Sequence, residues 1–372
     1  MKKRICIIAG YAPSILNFRK ELVLELAKTC DVYVCVPFKS EVIRTQIEAL
    51  GVICFDVHMH SENMSPLHNL KYGYMLWRLF KKIKPDVVLS YTIKPVIWGS
   101  LAARLAGVKR ITSMITGLGY AFTDLLALKR RVINKVVCGL YKCSLYFNHV
   151  VFFQNQDDCV LFQNKNILGQ TPYMVINGSG VNVSYFDYDV YCPERMTFFM
   201  MGRLLKDKGV YEYIEAAKRI KLEHDVDFNL AGWIDDNPTA IKPKELEEWC
   251  DSGVVRFLGQ LDDVRDSLKT TSVFVLPSYR EGTPRSVLEA MSIGRPIITT
   301  DAPGCRDTVI HGENGYLVPI KDVDQLVACM KKFIDDPALI HQFGKKSREI
   351  VVNKYDVHQV NRDIISALDV GD

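Results

Sequence analysis

The feature that most constrains the fold of this chain is a series of short apolar strands that alternate with longer helical segments. The series begins with "RICIIAG" and continues through "DVYVCVP", "VICFDV", "DVVLSYT" and "KRITSMIT", with a helical pattern between most successive strands. Strands that alternate with helices of about 10 to 15 residues are typical of parallel βαβ units with right-handed crossovers. The sequence therefore predicts an α/β protein.

The series is interrupted once, at residues 176–194, where two Asn/Gly/Ser turns and a proline indicate a linker. It then resumes with "MTFFMMGR", "DFNLAGW", "VVRFLGQ", "SVFVLPS" and "PIITTD". We therefore predict two Rossmann-like, doubly wound domains, residues 1–182 and 183–353, that face a central cleft. Residues 354–372 are predicted to form a helix that crosses back to the first domain. Such sheets bind ligands at the carboxyl ends of their strands, so we expect the ligand in the cleft.

Composition narrows the class of protein. Of the 372 residues, 48% are hydrophobic and 24% are charged, as in soluble globular proteins. The basic start is followed by an apolar run that Gly10 ends, which is too short for a signal peptide. The 11 cysteines include no Cys-x-x-Cys pair, which favours free thiols in a reducing cytoplasm.

Charge is distributed unequally along the chain. The first 186 residues contain 23 lysines and arginines against 11 acids, whereas the remainder contains 24 against 32. A basic half is expected to attract phosphates, either of nucleic acid or of an anionic membrane surface. Because no nucleic-acid recognition motif is present, we predict no nucleic-acid partner.

The stretch "PSYREGTPRSVLEAMSIGRP" places two acids around a predicted helix start. Thr283 is expected to cap the helix and Pro284 to take its first position. The free amide groups and the positive end of the helix dipole would then bind an anion, and Gly282 would let a ligand approach the backbone. Glu281 and Glu289 could each hold a separate group of hydroxyls. The alternative is that both are ordinary surface acids.

The stretch "MGRLLKDKG" follows the first strand of the second domain. It places Arg203 and Lys208 near the end of that strand, between Gly202 and Gly209. Two fixed cations suit a diphosphate whose bridging bond breaks. The alternative is a pair of solvated cations before a helix, which accounts for neither glycine.

Together the two stretches resemble the motifs of family-4 retaining glycosyltransferases, which have the GT-B fold. The resemblance implies a metal-independent hexosyltransferase that uses a UDP-sugar as donor substrate and no other cofactor. It implies that Arg203 and Lys208 neutralise the donor diphosphate and that Glu281 contacts the transferred sugar. These three are the expected catalytic residues. The remaining expected donor-binding residues are Gly202, Leu258, Gly282, Thr283, Pro284 and Glu289.

The first domain resembles bacterial transferases that extend saccharides on undecaprenyl diphosphate, including N-acetylgalactosaminyltransferases of O-antigen assembly and protein glycosylation. The resemblance is carried by "NFRKEL", "YTIKP" and "MITGLGYAFTD". It implies a polyprenyl-diphosphate-linked saccharide as acceptor. The residues expected to line the acceptor side are Arg19, Lys94, Thr116, Gly117 and Tyr120. Many family members have paired glycines in the first loop and a histidine near the TGLG segment. This sequence has neither.

Two segments of the first half, 71–84 and 128–147, combine an apolar face with a basic one. The predicted apolar face contains Tyr72, Leu76 and Phe80 in the first segment and Val132 and Val136 in the second. One interpretation is docking on anionic lipid, which predicts a cytoplasmic enzyme peripherally bound to the inner face of the cell membrane. The other is a pair of core-packed helices with solvated basic sides.

Several alternatives remain open. A transferase of the same fold could use UDP-glucose, UDP-galactose or a soluble acceptor, or the chain could be a UDP-sugar epimerase. A protein that only binds a nucleotide sugar or a lipid, without catalysis, would have little reason to keep Arg203, Lys208, Glu281 and Glu289 together. A nicotinamide oxidoreductase would have Gly-x-Gly-x-x-Gly after the first strand, which this sequence lacks. The acid pair Asp187 and Asp189 lies in the linker, so we predict no metal site.

Overall fold

In a computed structural model the chain divides into two compact units, residues 1–179 with 358–372 and residues 180–357. The sequence prediction placed the corresponding boundaries after residues 182 and 353. Each unit is built on one parallel sheet, so the predicted pair of Rossmann-like domains is confirmed. The structure describes residues 2–59, 65–118, 122, 128–190, 195–235, 237 and 239–370, without the side chains of 128–130.

The sheet of the first unit has the order β3-β2-β1-β4-β5-β6-β7 within the described residues. Its strands are β1 (Lys3–Ile8), β2 (Cys30–Val36), β3 (Ile53–Asp56), β4 (Val87–Tyr91), β5 (Arg110–Ile115), β6 (Val150–Phe153) and β7 (Tyr173–Val175). Its helices are α1 (Pro13–Thr29), α2 (Glu41–Glu48), α3 (Pro66–Ile83), α4 (Ile93–Ala106), α5 (Leu128–Leu145) and α6 (Gln156–Asn164).

Both faces of this sheet are buried under helices. Successive side chains of a strand point to opposite sides of the sheet, so each strand contributes to both faces. On β1, Ile5 and Ile7 pack in the cluster that contains Leu22 and Leu26 of α1. Ile8, the residue after Ile7, points to the opposite side of the sheet and packs in the cluster that contains α3. The near-continuous apolar strands of the sequence therefore reflect a sheet covered on both sides.

The second unit has the sheet order β10-β9-β8-β11-β12-β13 within the described residues. Its strands are β8 (Thr197–Arg203), β9 (Asp227–Trp233), β10 (Arg256–Phe257), β11 (Val273–Leu276), β12 (Ile297–Thr300) and β13 (Gly315–Val318). Its helices are α7 (Val210–Lys221), α8 (Pro243–Asp251), α9 (Arg265–Lys269), α10 (Arg285–Ile293), α11 (Val323–Asp335) and α12 (Ala338–Lys354).

The last helix, α13 (Val357–Leu368), returns to the first unit. Val360, Ile364 and Leu368 are buried in the same cluster as β1 and α1. These positions recur at intervals of four residues, which places them along one face of the helix. The carboxy-terminal helix therefore completes the core of the domain that the amino terminus begins.

The basic helices α3 and α5 contribute to the core of the first unit. Tyr72, Leu76 and Phe80 are buried in one cluster with Ile83, so the apolar face predicted for α3 is a core face. The apolar face predicted for α5 is only partly buried, because Val137 is buried whereas Val132 and Val136 are exposed. An interaction of these helices with lipid would therefore use their outer surfaces.

Replacing Ile364 with alanine should destabilise the first unit. The side chain is fully buried, and removing such a side chain costs about 3 kcal/mol through lost burial and the cavity left behind. Urea unfolding monitored by circular dichroism would measure the loss. Ser366→Ala on the exposed side of the same helix is the control, and equal stability of the two variants would contradict the packing described.

Candidate functional site

The two charged loops predicted from the sequence meet at one point of the second sheet. β8 lies between β9 and β11, so the chain leaves β8 in one direction and later returns on its other side. Doubly wound sheets bind ligands beyond the carboxyl ends of their strands at such a reversal of strand order. Arg203 ends β8, and the loops that follow β8 and β11 carry Lys208 and Glu281.

Two glycines, one near the end of β8 and one at the start of α7, flank the loop between these elements. Gly202 has a φ of +155°, a backbone conformation that favours glycine. A Cβ added there would meet no atom within 4 Å, so the space beside Gly202 is open. Gly209 has a φ of +78°, and a Cβ there would lie 2.2 Å from the carbonyl oxygen of Pro277. Gly209 thus lets the start of α7 approach the loop after β11.

Arg203, the last residue of β8, carries one of the predicted cations. Its Nη1 lies 3.4 Å from Oδ2 of Asp235, and its side chain is half-exposed. Asp235 also accepts a hydrogen bond from the backbone N–H of Asn237. The guanidinium is therefore oriented by a carboxylate while it stays accessible to a ligand.

Lys208 and Glu281 form a direct ion pair between the lysine Nζ and Oε1 of the glutamate. Only 18% and 14% of their respective side-chain surfaces are exposed. Attraction between opposite charges is stronger at such partly buried positions than in water. The sequence assigned the two residues to separate parts of a ligand, whereas the structure makes them partners.

The backbone around Glu281 is fixed by the segment after β12. The N–H of Glu281 donates to the carbonyl oxygen of Pro303 at 3.0 Å. Gly304 has a φ of +77°, and a Cβ there would lie 2.3 Å from the carbonyl oxygen of Gly282. The glycine permits this close approach, which holds the loop after β11 in place.

Helix α10 begins at Arg285, one residue later than predicted. Pro284 takes the N-cap position with φ −71° and ψ 108°, and its own side chain makes no capping hydrogen bond. The predicted boundary, with Thr283 at the N-cap and Pro284 as first helical residue, is therefore displaced by one residue, because the proline backbone adopts the extended conformation there. The first amide groups of α10 still follow directly after Gly282 and Thr283.

Glu289 is paired with Arg285 one helical turn earlier. Nε of Arg285 lies 3.1 Å from Oε1 of Glu289, and both side chains are mostly buried. Burial raises the pKa of Glu289, and the neighbouring guanidinium opposes that rise. Within the described residues Nη1 of Arg285 is buried without a hydrogen-bond partner. Sequence reasoning missed this arginine, although the i,i+4 spacing of opposite charges indicated it.

Leu258 lies directly after β10, at one edge of the second sheet. Its N–H donates to the carbonyl oxygen of Leu230 at 2.8 Å. The side chain is partly buried against the core of the unit. Leu258 therefore belongs to the same end of the sheet as Arg203, two strands away.

In the first unit, the residues predicted for the acceptor follow the central strands. Arg19 of α1 is buried, with Nη2 2.7 Å from Sδ of Met114 and the guanidinium 5.5 Å from the ring centre of Tyr91. Lys94 lies in the first turn of α4, where burial lowers its pKa. The remaining predicted positions are Thr116 and Gly117, which follow β5, and Tyr120, which lies outside the described residues.

Neither a metal-binding cluster nor a membrane-spanning helix occurs among the described residues. Across the described ranges, no group of three or more His, Cys, Asp or Glu side chains could hold a metal ion. None of the helices in the described part of the chain combines the length and apolar character needed to cross a bilayer.

Comparisons with known proteins match both units. A family model described as glycosyl transferases group 1 matches residues 193–350, and one described as glycosyl transferase 4-like matches residues 4–155. An N,N'-diacetylbacillosaminyl-diphospho-undecaprenol alpha-1,3-N-acetylgalactosaminyltransferase of Campylobacter jejuni is 28% identical over 98% of this chain and 96% of its own length.

Two further proteins extend the comparison. A UDP-Gal:alpha-D-GlcNAc-diphosphoundecaprenol alpha-1,3-galactosyltransferase of Escherichia coli is 26% identical over 82% of this chain and 81% of its own length. The crystal structure of HepE from Anabaena in complex with UDP covers 99% of both chains with a TM-score of 0.79 at 17% identity. The likeness to HepE shows a shared fold.

Breaking the ion pair from either side should destabilise the second unit. Lys208→Met or Glu281→Gln leaves a mostly buried polar partner without its counterpart, which we expect to cost about 2 kcal/mol. The double variant should be more stable than the sum of the two single losses implies, because no charge is stranded. Urea unfolding of all four proteins would measure this, and strictly additive losses would contradict a direct interaction.

Proposed function

Because this chain is a glycosyltransferase with a group 1 domain and a 4-like domain, we propose that it transfers an N-acetylhexosamine such as GalNAc from a UDP-sugar to an undecaprenyl-diphosphate-linked saccharide. The anomeric configuration of the sugar is retained. The observation that carries this proposal is the placement of Arg203 and the Lys208–Glu281 pair at the strand reversal of the second sheet.

The donor is assigned to the second unit. Arg203 and Lys208 would bind the diphosphate, aided by the amide groups at the start of α10. Glu281 would contact hydroxyls of the transferred sugar and Glu289 those of the ribose. The remaining donor contacts are Gly202, Leu258, Gly282, Thr283 and Pro284. The UDP complex of HepE, which shares the fold, supports UDP as the nucleotide.

Charge development explains why cations are needed at this position. As the bond between the anomeric carbon and the diphosphate oxygen breaks, negative charge grows on UDP and positive charge on the sugar ring. Arg203, Lys208 and the dipole of α10 stabilise the departing diphosphate. The acceptor hydroxyl oxygen bonds to the anomeric carbon on the same face, and its proton passes to the departing phosphate oxygen. Glu281 forms no covalent bond in this scheme.

The acceptor is assigned to the first unit. The names of the Campylobacter jejuni and Escherichia coli relatives both include an undecaprenol diphosphate acceptor, which supports the same class of acceptor here. The residues proposed to line this side are Arg19, Lys94, Thr116, Gly117 and Tyr120. The Escherichia coli relative takes UDP-Gal, so galactose is the second candidate sugar.

We further propose that the enzyme is cytoplasmic and binds the inner face of the cell membrane through the outer surfaces of α3 and α5. Both helices pack beside α4, and both expose apolar and basic side chains together. The exposed stripe of α3 consists of Leu67, Leu70, Lys71, Tyr74, Arg78 and Lys81. That of α5 consists of Arg131, Val132, Lys135, Val136 and Lys142, with Tyr146 directly after the helix. Apolar side chains flanked by cations are the pattern of interfacial helices on anionic lipid.

Removing either diphosphate cation should reduce turnover. We expect Arg203→Ala and Lys208→Ala each to lower kcat by about 10²-fold, as loss of one charge-stabilising donor does. Transfer of radiolabelled sugar from a panel of UDP-sugars to membrane lipid extract would measure this. Lys206→Ala, an exposed lysine in the same turn, is the control. Near-normal turnover of both variants, or no transfer by the unmodified enzyme from any donor, would contradict the proposal.

Neutralising the two stripes should weaken membrane binding. Each surface lysine or arginine contributes about 1 kcal/mol to attraction by anionic lipid, so Lys71→Gln, Arg78→Gln and Lys135→Gln together should lower vesicle binding about 10²-fold. Co-sedimentation with phosphatidylglycerol vesicles, against phosphatidylcholine vesicles, would measure binding. The matched control neutralises Lys218, Lys244 and Lys269, which are exposed in the second unit. Equal binding by both triple variants would rule out docking through α3 and α5.

A further inference from the structure

The loop that carries Glu281 is tied to the segment that carries Lys208 by more than their ion pair. Tyr279, two residues before Glu281, donates its backbone N–H to the carbonyl oxygen of Asp207 at 2.9 Å. Its hydroxyl donates to Oε1 of Glu212 at 2.5 Å. Asp207 and Glu212 lie on either side of Lys208 in the chain, so Tyr279 connects to both sides of the lysine.

The bond between Tyr279 and Glu212 has the character of a strong one. A distance of 2.5 Å is within the range of a hydroxyl bonded to a carboxylate, which is about twice as strong as a bond between neutral groups. Burial raises the pKa of Tyr279, with the Glu212 bond as the next cause, so the hydroxyl stays protonated as a donor at neutral pH.

The bond lies in partly buried surroundings, with further contacts on the tyrosine side. The other carboxylate oxygen of Glu212, Oε2, is buried and has no hydrogen-bond partner within the described residues. The ammonium group of Lys321 lies 5.2 Å from the ring centre of Tyr279, which favours the observed ring position. The hydroxyl of Ser278 also donates to the carbonyl oxygen of Asp207.

We propose that Tyr279 and Glu212 are positioning residues that hold the Glu281 loop against the Lys208 turn and thereby fix the ion pair for sugar transfer. Neither residue is assigned a contact with the donor. Their effect passes through the relative placement of Lys208 and Glu281, and a misplacement of about 1 Å at a reacting group costs up to about 10²-fold in rate. The inference rests on the proposed function.

The test removes only the tyrosine hydroxyl. Tyr279→Phe should lower kcat for sugar transfer about 10-fold and change the donor KM less than about threefold, because the geometry matters most as charge develops. Tyr211→Phe is the matched control. Tyr211 lies next to Glu212 on α7 and donates the same kind of bond, to Oε2 of Glu245 at 2.9 Å, away from the Glu281 loop. It should keep kcat within about twofold.

A second pair of measurements separates positioning from general stability. Melting temperatures of Tyr279→Phe and Tyr211→Phe would show whether the two lost bonds cost similar stability. In a Glu281→Gln background, Tyr279→Phe should lower the residual rate less than about twofold, since the geometry it maintains is already lost. Glu212→Gln, which keeps an acceptor oxygen for the hydroxyl, should retain more activity than Glu212→Ala.

Two results would overturn the inference while the proposed function stands. One is a Tyr279→Phe enzyme with unmodified kcat, and the other is a full tenfold further loss in the Glu281→Gln background. Failure of the proposed function gives a different result. In that case the unmodified enzyme would neither transfer sugar nor bind UDP in calorimetry, and the inference would fall with it.

Discussion

The candidate site depends on the close approach of two loops that leave neighbouring strands of one sheet. Lys208 belongs to the loop after β8 and Glu281 to the loop after β11, and their side chains form a mostly buried ion pair. A charge at that depth is costly unless its partner is in place. The approach is possible because Gly209 has no side chain where it meets Pro277 and Gly304 has none where it meets the Glu281 loop.

The two units use the same architecture for different purposes. In both, a helix follows most of the inner strands, and the strand order reverses beside the first strand. In the second unit the loops at the reversal carry paired charges. In the first unit the reversal lies between β1 and β4, and Thr92 just after β4 has a φ of +69°, a conformation that L-residues rarely adopt. Function is inferred from the side chains at the end of each sheet and not from the fold, because proteins with the same fold have many different activities.

The sequence was sufficient for the fold, because strands buried on both faces give continuous apolar runs and glycines mark the ends of helices. It was also sufficient to bring Arg203, Lys208 and Glu281 to one end of a sheet. It could not show that Lys208 and Glu281 touch, since that contact joins positions 73 residues apart. Nor could it decide between the two interpretations of the apolar face of α3, because an apolar stripe has the same pattern whether it meets a core or a membrane.

The pairing of charges in this site bears on which ligand it accepts. Arg203 pairs with Asp235, Lys208 with Glu281 and Arg285 with Glu289. A simple anion that bound Lys208 or Arg285 would separate that cation from a mostly buried carboxylate, which is unfavourable. In the proposed binding mode a nucleotide sugar avoids that cost, because its diphosphate would take the cations while its sugar and ribose hydroxyls would donate to the carboxylates. Paired charges therefore favour a ligand that carries both kinds of group over inorganic phosphate or diphosphate alone.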